Sequence, residues 1–209
     1  IIYDREIPDR DGRAIERLFD ATFGAGHFAK TAERVREYSY SLPEITRVGL
    51  LNGRLIAVCR VWPIFIGGTP ALFYGPIAVA PEYQGGKVGR SVTEASLEAG
   101  RASGHQWACL IGAPPYFGRV GFEVPPHGSV QFPGPQDQSR IMLKRLRVPE
   151  DEPFPTGAVT YPRDASEQEQ PKEHTCDEPG WKNRLAAGIA HRIGLTVAQS
   201  NPATIPSAA

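Results

Sequence analysis

Residues 77–90 decide the fold, and they run IAVAPEYQGGKVGR. This stretch joins a predicted strand, Leu72–Ala80, to a predicted helix, Val88–Ala102. Its glycines let the backbone come close to a ligand, and the free N–H groups of the first helical turn, together with the helix dipole, favour an anion. The loop therefore predicts a pyrophosphate site, to which Lys87 and Arg90 add charge. An ordinary Gly-rich turn is the alternative, since the spacing matches neither a P-loop nor a dinucleotide fingerprint.

The segments before this loop predict a strand, two helices and then antiparallel strands. Ile1–Arg5 is the first strand, and Asp11 is expected to cap a helix whose apolar face is Ile15, Leu18, Phe19, Thr22 and Phe23. A second helix is predicted over Lys30–Tyr40. The pair Asn52-Gly53, between Arg47–Leu51 and Leu55–Phe65, is typical of a tight hairpin turn, and Gly67-Gly68 marks the next turn.

The segments after the loop predict a strand–helix–strand unit. Gly104 follows the predicted helix, and the apolar run Trp107–Ile111 is typical of a buried strand that lies parallel to Leu72–Ala80. A short helix is expected to start at Pro114-Pro115 and to carry Tyr116 and Phe117. Further strands are predicted at Val130–Phe132 and Ile141–Leu146.

Composition indicates a globular domain with an acidic C-terminal extension. The chain has 209 residues, with 23 basic and 23 acidic side chains, and this zero net charge argues against a nucleic-acid or membrane partner. Residues 150–178 hold nine acidic and two basic residues with several prolines, which predicts a solvated, mobile connector. We therefore expect a compact domain over residues 1–162 and, over residues 163–209, the rest of the connector and a helix. That helix carries the stripe Trp181, Leu185, Ile189 and Ile193, which would dock on the domain or on a second subunit, leaving a homodimer open.

The three cysteines are Cys59, Cys109 and Cys176. An odd, widely spaced set predicts neither a disulfide framework nor a zinc site, and Cys59 and Cys109 lie in apolar runs typical of the core. This usage indicates a reducing, cytoplasmic compartment.

Two motifs resemble the GNAT superfamily of acetyl-CoA-dependent N-acetyltransferases. Residues 77–90 are similar to its acetyl-CoA motif, x-V-x-P followed by Q/R-x-x-G-x-G/A, and residues 113–122, APPYFGRVGF, are similar to its Y-Y-x-R-F-G-F element. The resemblance covers residues 1–146 and is closest to small bacterial predicted N-acetyltransferases. It implies an α/β (α+β) GNAT fold, whose mixed central sheet is splayed between the fourth and fifth strands and flanked by helices.

The resemblance also implies acetyl-CoA as co-substrate, with no metal. The pantetheine arm would lie in the splay, and a backbone N–H near Val79 would polarise the thioester for direct attack by a primary amine. A general base would deprotonate that amine, and a tyrosine would protonate the departing thiolate. The implied cofactor-binding residues are Ile77, Ala78, Val79, Gln84, Gly85, Gly86, Lys87, Val88, Gly89 and Arg90.

Two positions depart from the family pattern. Lys87 stands where the motif has its first glycine, so either its side chain points outward and adds charge or the loop is reshaped. The general-acid tyrosine aligns with Phe117, and Tyr116 lies one residue earlier, a rotation of about 100° on a helix. Tyr116 is the candidate catalytic residue, but only a register shift or a non-helical Pro114–Phe117 stretch would bring its hydroxyl into the general-acid position.

The acceptor is expected to be a small-molecule or peptide amine, with its specificity coming from residues 24–46 and strand residues 60–74. His105 and His127 are expected to flank the acceptor side, either as the general base or as ordinary loop histidines. Glu82 is expected to be a solvated loop acid. The alternative function is a catalytically weak or inactive GNAT-fold module that binds acyl-CoA or a protein.

Overall fold

The computed structural model describes residues 1–24 and 39–162. Most of the predicted helix Lys30–Tyr40, the predicted C-terminal helix and Cys176 lie outside the described residues. The domain boundary expected after Pro162 stays a prediction.

A mixed sheet forms the centre of the fold. Within the described residues its spatial order is β1-β2-β3-β4-β5-β7, and β8 pairs with both β3 and β6. Neighbours along the main path are antiparallel except β4 and β5, which are parallel as the sequence predicts. The eight strands are β1 (Ile2–Arg5), β2 (Arg47–Leu51), β3 (Arg54–Ile66), β4 (Thr69–Val79), β5 (Trp107–Ile111), β6 (Val130–Gln131), β7 (Ile141–Arg145) and β8 (Gly157–Thr160).

Three α-helices accompany the sheet in the described part of the chain: α1 (Pro8–Phe23), α2 (Val88–Ala102) and the single turn α3 (Pro114–Phe117). The predicted bounds of α2 are confirmed, and Gly104 follows its end in the left-handed region with φ 90°. The predicted hairpin is also confirmed, because Asn52 and Gly53 both have positive φ, 50° and 77°, as a type I′ turn requires.

The expected role of Asp11 is wrong. Helix α1 begins three residues earlier, at Pro8, because proline fits the first helical position. Asp11 lies buried in the first turn, where its carboxylate accepts hydrogen bonds from the Ile7 N–H at 2.8 Å and from the Arg10 side chain. Burial alone would raise the pKa of Asp11, but these bonds and the Arg10 charge hold that pKa below its ordinary value. The carboxylate thus binds back to the N-cap residue from inside the helix.

The sheet is buried on both faces, as the alternation along β3 shows. Ala57, Cys59 and Val61 pack on the side that α2 covers, whereas Ile56 and Val58 pack on the side that α1 covers. The predicted apolar face of α1 is confirmed by the burial of Ile15, Leu18 and Phe19, and both described cysteines are buried core residues.

A bulge in β4 interrupts this alternation. Cys59 pairs with Ile77 but Val61 pairs with Tyr74, so two residues, Gly75 and Pro76, stand opposite one residue of β3. Tyr74 and Ile77 consequently face the same side of the sheet, although three positions separate them. The Gly75 carbonyl accepts a 2.7 Å hydrogen bond from the indole nitrogen of Trp62, which holds the bulge in place.

The expectation of a solvated connector from residue 150 onward is wrong for its first part. β8 pairs with the end of β3, Phe65 opposite Thr160 and Ile66 opposite Val159. Phe154 packs on Trp107 with ring centroids 5.8 Å apart. Burial of these apolar groups stabilises the segment even though it contains the acidic residues 150–152, which are exposed to solvent.

Candidate active site

The paired part of β4 and β5 is short, and an opening follows it. The two strands pair only at Leu72 with Ala108 and at Phe73 with Cys109, and then they separate. A cavity of about 720 Å³ lies where they diverge, between residues 73–77 of β4 and residues 110–113 at the end of β5. We call it the large cavity. The predicted splay between the fourth and fifth strands is therefore present.

The backbone of β4 offers unused polar groups to this opening. The Ala80 N–H donates to the Ile56 carbonyl at 2.8 Å, and hydrogen-bonded pairs alternate along an antiparallel ladder. Ala78 therefore bonds to β3, whereas the N–H and C=O groups of Ile77 and Val79 point away from it. The Val79 carbonyl is engaged by the Gln84 amide at 2.8 Å, so Gln84 ties the loop to the strand.

The Gly-rich loop leads directly into an uncapped helix start. Gly85 has φ 78°, which favours glycine, and Lys87 has φ −86° at the N-cap of α2. No side chain caps the helix, so the N–H groups of its first turn remain available to an anion. Lys87 is exposed and needs no special backbone conformation.

A second cavity of about 460 Å³, the small cavity, lies over this loop. It adjoins the large cavity, because Ile77, Tyr116 and Phe117 line both. Five further residues predicted from the motifs line the small cavity: Val79, Gln84, Gly85, Gly86 and Gly89. Ala78, Lys87, Val88 and Arg90 line neither cavity; Ala78 is buried, and the other three lie at the N-cap and in the first turn of α2, where their predicted role stays a prediction.

Tyr116 stands at the junction of the two cavities. A Cβ placed on Gly89 would lie 2.6 Å from the Tyr116 hydroxyl, so that hydroxyl rests against the first turn of α2. Partial burial raises the pKa of Tyr116 and Glu94 raises it further, whereas Arg90 lowers it, and the net direction is upward. The hydroxyl therefore holds its proton through neutral pH, as a proton donor must.

Phe117 occupies a different place. Its ring meets Tyr116 edge to face, with centroids 4.8 Å apart, and it packs against Gly112, where a Cβ would collide with the ring. The stretch Pro114–Phe117 is the α-helical turn α3, followed by a 3-10 turn at Gly118–Val120, so the expected departure from helical geometry is wrong. Tyr116 therefore does not take the position of Phe117, and its hydroxyl lies instead against the start of α2. In this short turn the Phe117 ring points to the end of β5, and the Tyr116 ring points to the start of α2.

The histidines do not flank the large cavity as expected. His105 precedes β5 at the end opposite the opening, and burial lowers its pKa. His127 is exposed in the loop before β6. Neither residue lines the large or the small cavity. Glu82 is exposed as predicted and forms an ion pair with Arg54 at 2.9 Å.

Sequence reasoning missed the outer end of the large cavity, which is lined by Pro135, Gln136, Asp137 and Arg140. Its position follows from topology: β7 is antiparallel to β5, so the residues that precede β7 lie beside the end of β5. Antiparallel pairing of the predicted strands at 107–111 and 141–146 is the sequence signal that would place this loop beside the end of β5.

Within the described residues, no cluster of three His, Cys, Asp or Glu side chains is placed to hold a metal ion. In the same part of the chain, none of the helices combines the length and the apolar character that a bilayer crossing requires.

Comparison with known proteins gives a sequence relative and matching solved folds. No family model matches the chain. The chain is 25% identical to the uncharacterized N-acetyltransferase YhbS of Escherichia coli K12 over 147 residues, which are 68% of this chain and 84% of YhbS.

The solved structures share the fold. A crystal structure of E. coli YhbS in complex with CoA has a TM-score of 0.64 at 24% identity, and the match covers 77% of this chain and 88% of that one. A GNAT acetyltransferase of Brucella melitensis in complex with acetyl-CoA has a TM-score of 0.58 at 21% identity, covering 77% of this chain and 94% of that one. The mixed sheet, its parallel β4–β5 pair and the flanking helices are those of the GNAT fold, and the sequence match supports homology to YhbS-like GNAT N-acetyltransferases.

Proposed function

We propose that this protein transfers an acetyl group from acetyl-CoA to a primary amine. The observation that carries the proposal is the junction of two features. The N–H and C=O groups of Ile77 and the N–H of Val79 face an opening in the sheet, and that opening adjoins an uncapped helix start. The backbone can bond an amide-bearing arm as a further strand would, while the helix start holds a pyrophosphate. YhbS in complex with CoA and the Brucella protein in complex with acetyl-CoA support this assignment.

The reaction exchanges a C–S bond for an N–C bond and moves one proton from nitrogen to sulfur overall. The neutral amine nitrogen attacks the thioester carbon, the N–C bond forms, the C–S bond breaks to release a thiolate, and the attacking nitrogen loses a proton to water. A backbone N–H of Ile77 or Val79 stabilises the negative charge that develops on the thioester oxygen. Tyr116 donates its proton to the thiolate, and its raised pKa keeps that proton available.

The amine loses its proton to water. Of the described residues that line the large cavity, Asp137 is the one carboxylate, and two hydrogen bonds from Ser139 lower its pKa, so it is a poor base. The walls near Ile77 and Phe117 are apolar, and an apolar environment favours the neutral form of an amine. No histidine is needed for this step.

The test combines calorimetry with an assay of CoA release. We expect acetyl-CoA to bind, and we expect a panel of primary amines to increase CoA release over the rate of thioester hydrolysis. Binding without release for any amine would favour the other candidate, a module that binds acyl-CoA without catalysis. Absence of binding by the folded protein would contradict both.

A further inference from the structure

The outer end of the large cavity carries opposite charges. Among the described residues that line it, Asp137 and Arg140 are the charged ones, and the walls between them and Tyr116 are apolar, as at Phe73, Leu110 and Ile111. The cavity therefore has an apolar inner end beside the proposed reaction centre and a charged outer end. Its volume of about 720 Å³ lies within the range of small-molecule sites.

Asp137 is ionised, and one of its two carboxylate oxygens accepts no hydrogen bond within the described chain. Its Oδ1 accepts hydrogen bonds from the Ser139 N–H at 3.0 Å and from the Ser139 hydroxyl at 2.7 Å. These bonds favour the charged form, and they lower the pKa of the carboxyl group. Within the described chain Oδ2 has no hydrogen-bond partner, so it can accept from an ammonium group of a ligand.

Arg140 is held at the end of β5 with most of its guanidinium free. The Gly112 N–H donates to the Arg140 carbonyl at 2.9 Å, and the Arg140 Nε donates to the Gly112 carbonyl at 3.4 Å. Its two terminal nitrogens have no partner in the described chain. No ion pair joins Arg140 to Asp137 there either, so each charge remains available to a ligand. A guanidinium fork fits a carboxylate.

We propose that the acceptor is a diamino carboxylic acid that reacts through its distal amine; this inference rests on the proposed function. Asp137 would bind the α-ammonium group, Arg140 would bind the α-carboxylate, and the apolar walls would contact the methylene chain. The distal amine would then lie at the apolar inner end, where the neutral, nucleophilic form is favoured.

Four amines of matched chain length test the proposal. L-lysine carries both charged groups, cadaverine lacks the carboxylate, ε-aminocaproate lacks the α-amine, and n-pentylamine lacks both. With acetyl-CoA held constant, we expect kcat/KM for L-lysine to exceed that for n-pentylamine, each charged group contributing about tenfold. Asp137→Asn should lower kcat/KM for L-lysine and cadaverine only. Arg140→Gln should lower it for L-lysine and ε-aminocaproate only.

Glu150→Gln and Arg147→Gln are the matched controls, because they make the same charge changes at exposed positions outside the cavity. They should leave the order of kcat/KM among the four amines unchanged.

Equal kcat/KM values for all four amines would overturn this inference and leave the proposed function standing. Selectivity that responds to only one of the two variants would also overturn it, and would point to a diamine or an amino carboxylate. If no amine reacts although acetyl-CoA binds, the proposed function fails, and absence of L-lysine binding to the CoA-loaded protein by calorimetry then overturns the inference as well.

Discussion

At the residue scale, the proposed chemistry depends on one phenol. Tyr116 is 41% exposed, and its hydroxyl lies against Gly89 at the junction of the two cavities. We expect Tyr116→Phe to lower kcat by about two orders of magnitude with little change in acetyl-CoA affinity, because general acid catalysis contributes on that scale. CoA release and calorimetry measure the two quantities separately.

Phe117→Tyr in the Tyr116→Phe background is the control. A hydroxyl at position 117 should not restore turnover, since that ring packs against Gly112. Restored turnover would show that a tyrosine at position 117 can act as the general acid. The raised pKa of Tyr116 adds a pH test. Because this pKa lies above the ordinary tyrosine value of 10, the hydroxyl stays protonated up to about pH 10, and kcat should show no decrease caused by its deprotonation below that pH.

Gly89 provides a second test of the same hydroxyl. A Cβ at this position would lie 2.6 Å from the Tyr116 oxygen and 3.3 Å from Val79 Cγ2, and the half-exposed tyrosine is the group that can move. We expect Gly89→Ala to reduce kcat in the wild-type background and to reduce it no further in the Tyr116→Phe background. A double-mutant cycle on kcat measures this coupling. Additive losses would mean that Gly89 acts independently of the tyrosine.

At the element scale, Arg60 of β3 forms one buried ion pair with Glu6, which precedes α1, and one exposed ion pair with Glu16 of α1. The Arg60 guanidinium on β3 lies 2.8 Å from a Glu6 carboxylate oxygen and 2.8 Å from one of Glu16. The Glu6 side chain is 2% exposed and that of Glu16 is 55% exposed. Glu6→Ala should therefore destabilise the fold by about 3 kcal/mol, because it leaves a mostly buried cation with less compensation.

Glu16→Ala is the matched comparison, and its cost should stay below about 1 kcal/mol because the group is solvated. Urea unfolding of both variants measures the difference. Equal losses would show that burial of Glu6 does not set the strength of the pair.

The Gly-rich loop is the second element with a testable departure from the family pattern. Lys87 is exposed and has φ −86°, so glycine is not required there. We expect Lys87→Gln to weaken acetyl-CoA binding by no more than about 1 kcal/mol, with the loss shrinking as salt increases. Lys87→Gly should not strengthen binding. Calorimetry at two salt concentrations decides this, and a gain of more than about tenfold for Lys87→Gly would mean that the lysine obstructs the loop.

Most elements were predictable because their patterns are local. The Asn52-Gly53 turn, the bounds of α2 and the buried run Trp107–Ile111 each depend on neighbours in sequence. The β4 bulge was not predicted, although a Gly75-Pro76 pair inside a strand is its typical mark. Asp137 and Arg140 were missed for another reason: only the antiparallel pairing of β7 with β5 brings their loop to the cavity.

At the scale of the whole molecule, charge composition is a weaker guide than packing. Residues 150–178 have the composition of a solvated tail, yet β8 lies within them and joins β3 to β6. Val159 is buried, and Phe154 receives the Arg145 guanidinium at 3.9 Å from its ring centroid. A few apolar side chains are thus enough to hold the segment that the acidic residues surround.

A truncation series tests where the folded domain ends. A chain that stops after Pro162 keeps every described element, so we expect it to be soluble, to unfold cooperatively and to bind acetyl-CoA like the full chain. A chain that stops after Pro149 loses β8 and Phe154 and exposes the edge of β3 and the face of Trp107. We expect that shorter chain to lose several kcal/mol of stability or to aggregate, because burial of each large apolar side chain contributes about 1.5–3 kcal/mol. Thermal unfolding and calorimetry compare the two. Insolubility of the longer truncation would mean that residues after 162 complete the core, and full stability of the shorter one would mean that β8 contributes nothing to it.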